Sequence, residues 1–123
     1  MKILLVDDNE ELREFMALSL SEAGIETVTA GSAAEALVKA TADRFDVLVV
    51  DSFLGQDDGL ELATRLSTPV KGSKSTPVLL MSTISTALAR RMATAAGCAD
   101  FIVKPFGLTQ FAELVRGLSR TRK

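Results

Sequence analysis

The sequence predicts an α/β fold in which a five-stranded, doubly wound parallel sheet has helices on both faces. Short apolar runs recur along the chain without the alternation of a half-exposed strand, as in strands that are covered on both faces. The segments between these runs carry apolar residues at helical spacing, so strand and helix alternate through the whole chain. Such alternation favours parallel strands joined by right-handed helical crossovers.

Five segments are predicted to be strands. Four are unbroken apolar runs of about strand length: ILLV at 3–6, VLVV at 47–50, VLLM at 78–81 and FIV at 101–103. The fifth, IETVTA at 25–30, alternates apolar and polar residues and therefore suits an edge strand. Any one run could instead be a buried helical segment, but the regular spacing of all five makes that interpretation poor for the set.

Five helices are predicted between and after these strands. The first has Glu10 and Glu11 in its first turn, and the second begins with a capping box from Ser32 to Glu35. The fourth ends at Gly97. The predicted apolar faces, in chain order, are Leu12, Phe15, Met16, Leu20 and Ala23; Ala36, Leu37 and Ala40; Leu62 and Leu66; Leu88, Met92 and Ala96; and Phe111, Leu114, Val115 and Leu118.

One domain is predicted for the 123 residues, with 1–119 as the domain and 120–123 as a basic tail or the start of a linker. The segment STPVKGSKST at 67–76 predicts a mobile surface loop between a helix and a strand. We expect the domain to be the front part of a longer protein, because it starts at Met1 and ends without a terminating feature. A stand-alone domain is the alternative.

Composition and charge exclude several functional classes. A net charge of -2 provides no basic field, so we expect no direct nucleic-acid partner for this domain. No apolar stretch reaches the roughly 18 residues of a membrane span, and the N-terminal apolar run is too short for a signal peptide, so no membrane partner and a cytoplasmic location are expected. The single cysteine, Cys98, suits a reducing compartment. The absence of histidine removes most hydrolase triads and zinc sites.

Polar residues follow four of the five predicted strands. They are Asp7 and Asp8 after the first apolar run, Asp51 after the second, Ser82 and Thr83 after the third, and Lys104 after the fourth. Because ligands of an open parallel sheet bind beyond the carboxyl ends of its strands, we expect all six at one rim. Three carboxylates without histidine or thiolate favour a hard divalent cation, Mg²⁺ or Mn²⁺, which would offset their mutual repulsion.

The same set of side chains suits phosphoryl chemistry. The carboxylate of Asp51 can act as a nucleophile on phosphorus, and a lysine and a hydroxyl can contact the phosphoryl oxygens. The donor must already carry a reactive phosphoryl group, because the chain has no nucleotide-binding signature. Each residue alone has an ordinary explanation as a cap, a turn or a loop residue. Their combination, each at the end of its own strand, is far more specific.

Four segments, LLVDDN, VLVVDSFLGQDDG, PVLLMST and DFIVKPF, resemble the signature segments of the response-regulator receiver domain of two-component signalling, the CheY-like family. The similarity covers essentially the full chain in the expected order. It implies a flavodoxin-like fold with strand order 2-1-3-4-5. It also implies phosphorylation of Asp51 by the phosphohistidine of a sensor histidine kinase or phosphotransfer protein. Such a domain is a signalling phosphoacceptor and not an enzyme.

The resemblance implies a role for each site residue. Asp8 would bind Mg²⁺ directly and Asp7 largely through water, with Asp51 and the backbone carbonyl of Phe53 as further ligands. Lys104 would pair with the phosphoryl group.

Ser82, followed by Thr83, would take the hydroxyl position of the switch, and Phe101 would take its aromatic position. The surface of the fourth and fifth helices and the fifth strand would then change partners, which are a downstream protein or an output domain. A homodimer that forms on phosphorylation is compatible with this role.

Three features depart from the family pattern. Gly55 stands where proline is usual, which predicts a freer loop, and Thr83 stands where a smaller residue, usually alanine, is found. Phe53 and Ile84 occupy two variable positions that influence dephosphorylation, and neither can position an attacking water. We therefore predict a relatively long-lived acyl phosphate.

Two other functions compete with this one. An aspartyl-phosphate hydrolase would need a second acid two residues after its nucleophile, and Phe53 stands there. A phosphate-independent interaction module would have no need of Asp7, Asp8, Asp51 and Lys104 together.

Overall fold

The computed structural model describes residues 1–68 and 76–121, with no description of the Thr121 side chain. Seven strands lie in this part of the chain: β1 (Lys2–Val6), β2 (Glu26–Ala30), β3 (Val47–Asp51), β4 (Phe53–Leu54), β5 (Asp57–Asp58), β6 (Val78–Ser82) and β7 (Asp100–Val103). The five longer strands form one parallel sheet in the order β2-β1-β3-β6-β7. Counting these strands alone, the order is 2-1-3-4-5, so the predicted topology is confirmed. β2 lies at an edge, as its alternating sequence indicates.

Five helices connect and follow the strands: α1 (Glu10–Glu22), α2 (Ala33–Ala42), α3 (Gly59–Ser67), α4 (Ala87–Ala95) and α5 (Leu108–Thr121). Side-chain oxygens cap four of them, because Asn9, Ser32, Asp58 and Thr86 each accept a backbone N–H from the first turn. Within the described ranges, none of these helices combines the length and apolar character that crossing a bilayer requires.

The sheet separates two apolar layers, since successive residues of a strand face opposite sides. Ile3 and Leu5 of β1 pack with helices α1 and α5. Leu4 and Val6 face the other layer, where α2, α3 and α4 supply side chains. Helices therefore cover both faces of the sheet as predicted, and the central strands are buried on both sides.

Two predicted apolar faces are partly wrong. Leu88 and Met92 of α4 are 61% and 46% exposed, whereas Ala93 is buried at 2%. The face of α4 that carries small side chains packs on the sheet, because alanine lets a helix backbone approach closely. The larger side chains of α4 point outward. Phe15 of α1 is likewise 60% exposed, while Met16 on the same helix is buried.

A short hairpin between β3 and α3 was not predicted. β4 and β5 pair antiparallel through Phe53 with Asp58 and Leu54 with Asp57, which leaves a two-residue turn at 55–56.

The last helix is longer than predicted, because α5 continues to Thr121, beyond the predicted domain end at 119. Residues 122–123 of the predicted tail and residues 69–75 of the predicted loop lie outside the described part of the chain.

Candidate functional site

The three predicted acids meet at the carboxyl ends of two neighbouring strands. β1 and β3 pair in parallel through Val6 and Val50, so Asp7 and Asp51, which come next along each strand, emerge side by side. Together with Asp8 they offer three carboxylate oxygens that all lie within 4.8 Å of one another. Asp7 and Asp51 are buried, and Asp8 is exposed. The topology therefore brings together the acids that the sequence separates.

Lys104 connects two of these acids. It follows β7, and its Nζ lies 2.5 Å from Oδ2 of Asp51 and 3.1 Å from Oδ2 of Asp7. The ammonium group therefore bridges the two buried carboxylates and offsets part of their mutual repulsion. The predicted cluster of three carboxylates and one ammonium is present as a single constellation.

Burial and neighbouring charge compete at this constellation. Burial raises the pKa of the Asp51 carboxyl, and the charge of Asp7 adds to that rise. Hydrogen bonds from Lys104 and from the backbone N–H of Phe53 act in the opposite direction, without cancelling the effect of burial. For Lys104, burial acts against the charge, but the hydrogen bonds and charges of Asp51 and Asp7 prevail and raise the pKa of the ammonium group. Lys104 is therefore a cation throughout the physiological range.

The hydroxyl and aromatic residues lie on the adjoining strands. Ser82 is buried at the end of β6, next to β3 in the sheet, and its Oγ accepts the backbone N–H of Ile84 at 3.0 Å. Thr83 is exposed. Phe101 is half-buried in β7, and the guanidinium of Arg90 lies 5.0 Å from its ring centroid. No hydrogen bond joins Ser82 to the acids within the described residues, so its predicted role depends on position alone.

Phe53 and Ile84 contact the site through their backbone N–H groups, whereas their apolar side chains are exposed. The N–H of Phe53 donates to Oδ1 of Asp51 at 3.1 Å, and the N–H of Ile84 donates to Ser82. Their side chains are 73% and 58% exposed. The site therefore has apolar groups on its outer side, at the two positions that the sequence singled out. The predicted role of the Phe53 carbonyl as a metal ligand stays a prediction.

Arg13 is a contributor that sequence reasoning missed. Its Nη1 donates to the backbone carbonyl of Asp7 at 2.9 Å, and the guanidinium fills the space beside Gly31, where an added Cβ would lie 2.8 Å from Nη1. The side chain thereby holds the carboxyl end of β1. An arginine in the second turn of a helix carries no signal for such a role, because most arginines there face solvent.

Gly59 is a second contributor that was missed. A Cβ at this position would lie 1.9 Å from the backbone oxygen of Asp51, so only glycine allows α3 to begin this close to β3. The Asp-Gly pair at 58–59 precedes the apolar face predicted for the third helix, and the sequence alone assigns it no contact with Asp51. Its position eight residues after an acid at a strand end is the one signal that could have pointed to the contact.

The donor set fits a small hard cation. At metal–oxygen distances of about 2.0–2.1 Å, two oxygens bound to one octahedral Mg²⁺ are up to roughly 4.2 Å apart. The three carboxylate oxygens, all within 4.8 Å of one another, need only a small adjustment to reach such a geometry. Carboxylates with no histidine or thiolate beside them are the ligands that Mg²⁺ prefers over zinc or copper.

Comparisons with known proteins identify the family of this chain. The model of a family described as response regulator receiver domain matches residues 3–116. Response regulator MprA of Mycobacterium leprae is 33% identical over 123 residues, which are 100% of this chain and 53% of that protein. The chain therefore spans about half the length of the curated relatives it matches.

Solved structures share the fold of this chain. The receiver domain of the Francisella response regulator 1452 superposes with a TM-score of 0.87 at 28% identity, covering 98% of this chain and 97% of that one. The chemotaxis protein CheY4 of Vibrio cholerae superposes with a TM-score of 0.84 at 30% identity, covering 95% and 97%.

Proposed function

The chain belongs to the response regulator receiver domain family, and we propose that it is a phosphoacceptor whose Asp51 takes a phosphoryl group from the phosphohistidine of a sensor histidine kinase or phosphotransfer protein. The observation that carries the proposal is the position of the Asp51 carboxylate. It lies 2.5 Å from the Lys104 ammonium and within one cluster with Asp7 and Asp8. An acid nucleophile, a fixed cation and two further acids are the parts that acyl-phosphate formation needs.

In the transfer step, a carboxylate oxygen of Asp51 forms a bond to phosphorus while the phosphorus–nitrogen bond of the donor breaks. The electron pair of that bond returns to the imidazole nitrogen of the donor, which then takes up a proton. Lys104, already 2.5 Å from Asp51, follows the new negative charge onto the phosphoryl oxygens. The step requires the ionised carboxylate, which Lys104 favours against the effect of burial.

The acids are proposed to hold Mg²⁺, with Mn²⁺ as a substitute. Asp8 and Asp51 would bind it directly, with the Phe53 carbonyl, and Asp7 would bind it largely through water. When bound, the ion supplies positive charge that neutralises the carboxylates and the phosphoryl oxygens. The buried Asp7 is anchored by Lys104 at 3.1 Å, which suits a supporting role better than direct ligation.

Phosphorylation is proposed to change the surface formed by α4, β7 and α5. Ser82 Oγ accepts one hydrogen bond, and its O–H has no acceptor among residues 1–68 and 76–121, so it can donate to a phosphoryl oxygen. Phe101 lies on the neighbouring strand, where its ring packs beside α4 through Arg90. Ser82→Ala should therefore leave Asp51 able to accept the phosphoryl group but weaken binding to a downstream protein or output domain. Loss of all labelling in that variant would contradict the assignment.

The cell compartment proposed for this domain is the cytoplasm, where phosphohistidine donors act. No turnover of an outside substrate is proposed, because Phe53 offers no acid or base beside Asp51. Repeated release of phosphate from a small phosphate ester would instead favour a hydrolase.

Labelling with acetyl phosphate tests the proposal directly. With Mg²⁺ present, the intact mass of the wild-type protein should rise by one phosphoryl group, and chelation of Mg²⁺ should abolish the rise. Asp51→Ala should not be labelled, whereas Asp43→Ala, which removes an exposed acid that pairs with Lys2, should be labelled like wild type. Labelling that persists in Asp51→Ala, or that never occurs in wild type, would refute the proposal.

A further inference from the structure

The three clustered acids are held in different ways. Oδ1 of Asp7 accepts the N–H of Asn9 at 2.9 Å and its Oδ2 faces Lys104, and Asp51 is held at both oxygens as well. By contrast, the residues of the described ranges give the Asp8 carboxylate no hydrogen bond. Its neighbour is Gly55, where an added Cβ would lie 3.1 Å from Oδ2 of Asp8.

Gly55 is the first residue of the two-residue turn between β4 and β5. Its φ is +65°, and no residue other than glycine has a positive φ in the described chain, so Gln56 does not share this conformation. A positive φ at the first central position only is the pattern of a type II′ turn, which favours glycine there. The turn therefore favours glycine at position 55, which is the position beside Asp8.

The hairpin has contacts on both sides of its tip, which oppose a movement of the tip away from Asp8. Asp57 Oδ2 accepts the backbone N–H of Ala33 at 2.9 Å, which attaches β5 to the start of α2. At the end of the hairpin, Gly59 lies so close to β3 that an added Cβ would be 1.9 Å from the backbone oxygen of Asp51. A side chain placed at position 55 would consequently displace the Asp8 carboxylate rather than the hairpin.

We propose that Gly55 is a positioning residue that orients the Asp8 carboxylate for the divalent cation. This inference rests on the metal site of the proposed function. The hairpin tip lies beside Oδ2, and the absence of a Cβ at position 55 leaves that oxygen room for its present position. With a Cβ at position 55, Oδ2 must give by a few tenths of an ångström. Mg²⁺ demands near-ideal octahedral geometry, whereas Ca²⁺ accepts flexible coordination, so the displacement should weaken Mg²⁺ binding more than Ca²⁺ binding.

Calorimetric titration of the full chain with Mg²⁺ and with Ca²⁺ tests the proposal. For Gly55→Ala, we expect the Mg²⁺ dissociation constant to rise about three- to tenfold, and the Ca²⁺ constant to change by less than about twofold. Gly24→Ala is a matched control, since its φ of +84° imposes a similar backbone strain with nothing within 4 Å of the new Cβ. Its affinities should equal those of wild type. Gly55→Asn, whose side chain tolerates a positive φ better, should reproduce the loss of Mg²⁺ affinity with less loss of stability.

The outcomes separate this inference from the proposed function. If Gly55→Ala and Gly55→Asn remain folded and bind Mg²⁺ like wild type, Gly55 does not position Asp8, although wild-type labelling at Asp51 would still support the phosphoacceptor. An equal loss for both ions would likewise overturn the inference, because it would indicate general loosening. If wild type is not labelled at all, the proposed function fails, whatever the titrations of the variants show.

Discussion

Replacing Gly59 by alanine tests how closely the start of α3 (Gly59–Ser67) controls the proposed phosphoacceptor. The new Cβ would lie 1.9 Å from the backbone oxygen of Asp51 and 2.8 Å from its carbonyl carbon. Both atoms belong to the backbone of a strand that is paired on both sides, so no side-chain rotation can relieve the overlap. Either α3 or the end of β3 has to move.

The size of this movement follows from the contact distance. Non-bonded contacts of a Cβ below 3.0 Å are essentially never found, so the two groups must separate by about 1.1 Å. Shared between helix and strand, this moves Asp51 by about half an ångström, and overpacking of this kind costs about 1–3 kcal/mol of unfolding free energy. Since a misplacement of 1 Å can cost about a hundredfold in rate, we expect labelling of Asp51 to slow about tenfold.

Two measurements on the same preparation check the expectation. Urea unfolding gives the change in stability, and the initial rate of labelling by acetyl phosphate at saturating Mg²⁺ gives the effect on Asp51. Gly107→Ala serves as the control, because its φ is not positive and an added Cβ there meets nothing within 4 Å. If Gly59→Ala keeps both wild-type stability and the wild-type labelling rate, the argument from close contact is wrong.

Three further predictions concern the lifetime of the phosphoryl group, a thiol and a helix terminus. Phe53→Asn and Ile84→Glu should each speed loss of the phosphoryl group, since a polar side chain can position water, and an unchanged decay would contradict the predicted long lifetime. Burial raises the pKa of the Cys98 thiol to about 11, so iodoacetamide at pH 8 should modify it roughly a hundredfold more slowly than an unburied thiol of pKa 9.0; rapid modification of the folded protein would refute this. The hydrogen bond from the backbone N–H of Gly31 lowers the pKa of the Glu35 carboxyl from its ordinary value of 4.5. The ionised carboxylate therefore stabilises the folded protein above pH 4.5, and this contribution is lost as the pH falls through the lowered pKa of the folded state. Because this carboxylate is half-exposed, Glu35→Gln should cost less than about 1 kcal/mol of unfolding free energy at pH 7, and a deficit that persists in strong acid would contradict this origin.

The strands and the acid cluster could be predicted because their signals are local. Strands β1 and β3 lie in the middle of the sheet, so both faces of each are apolar and the run itself marks the strand. Once these strands are parallel, the residues that follow them must emerge at one edge. Asp7 and Asp51 therefore become neighbours through topology alone, although 43 residues separate them in the sequence.

The contacts that shape the site could not be predicted in this way. The strands β4 and β5 have two residues each, which is too short for any periodicity, so the hairpin over Asp8 has no sequence pattern of its own. The bond from Arg13 to the carbonyl of Asp7 depends on the direction of a long side chain, which spacing does not specify. Both features depend on three-dimensional distances, which the order of residue types along the chain does not specify.

In helix α4, the size of the apolar side chains led to a wrong prediction of the buried face. Its sequence contains two stripes at helical spacing, one with Leu88 and Met92 and one with Ala89 and Ala93. Burial of large apolar groups favours the first stripe, but close approach to β7 requires the second, and Ala93 is the buried one. Leu88 and Met92 consequently remain on the surface that the proposed function expects to change partners. The residues that a sequence-based criterion assigns to the core are thus apolar groups on the surface, because the close packing of α4 on the sheet uses its small side chains.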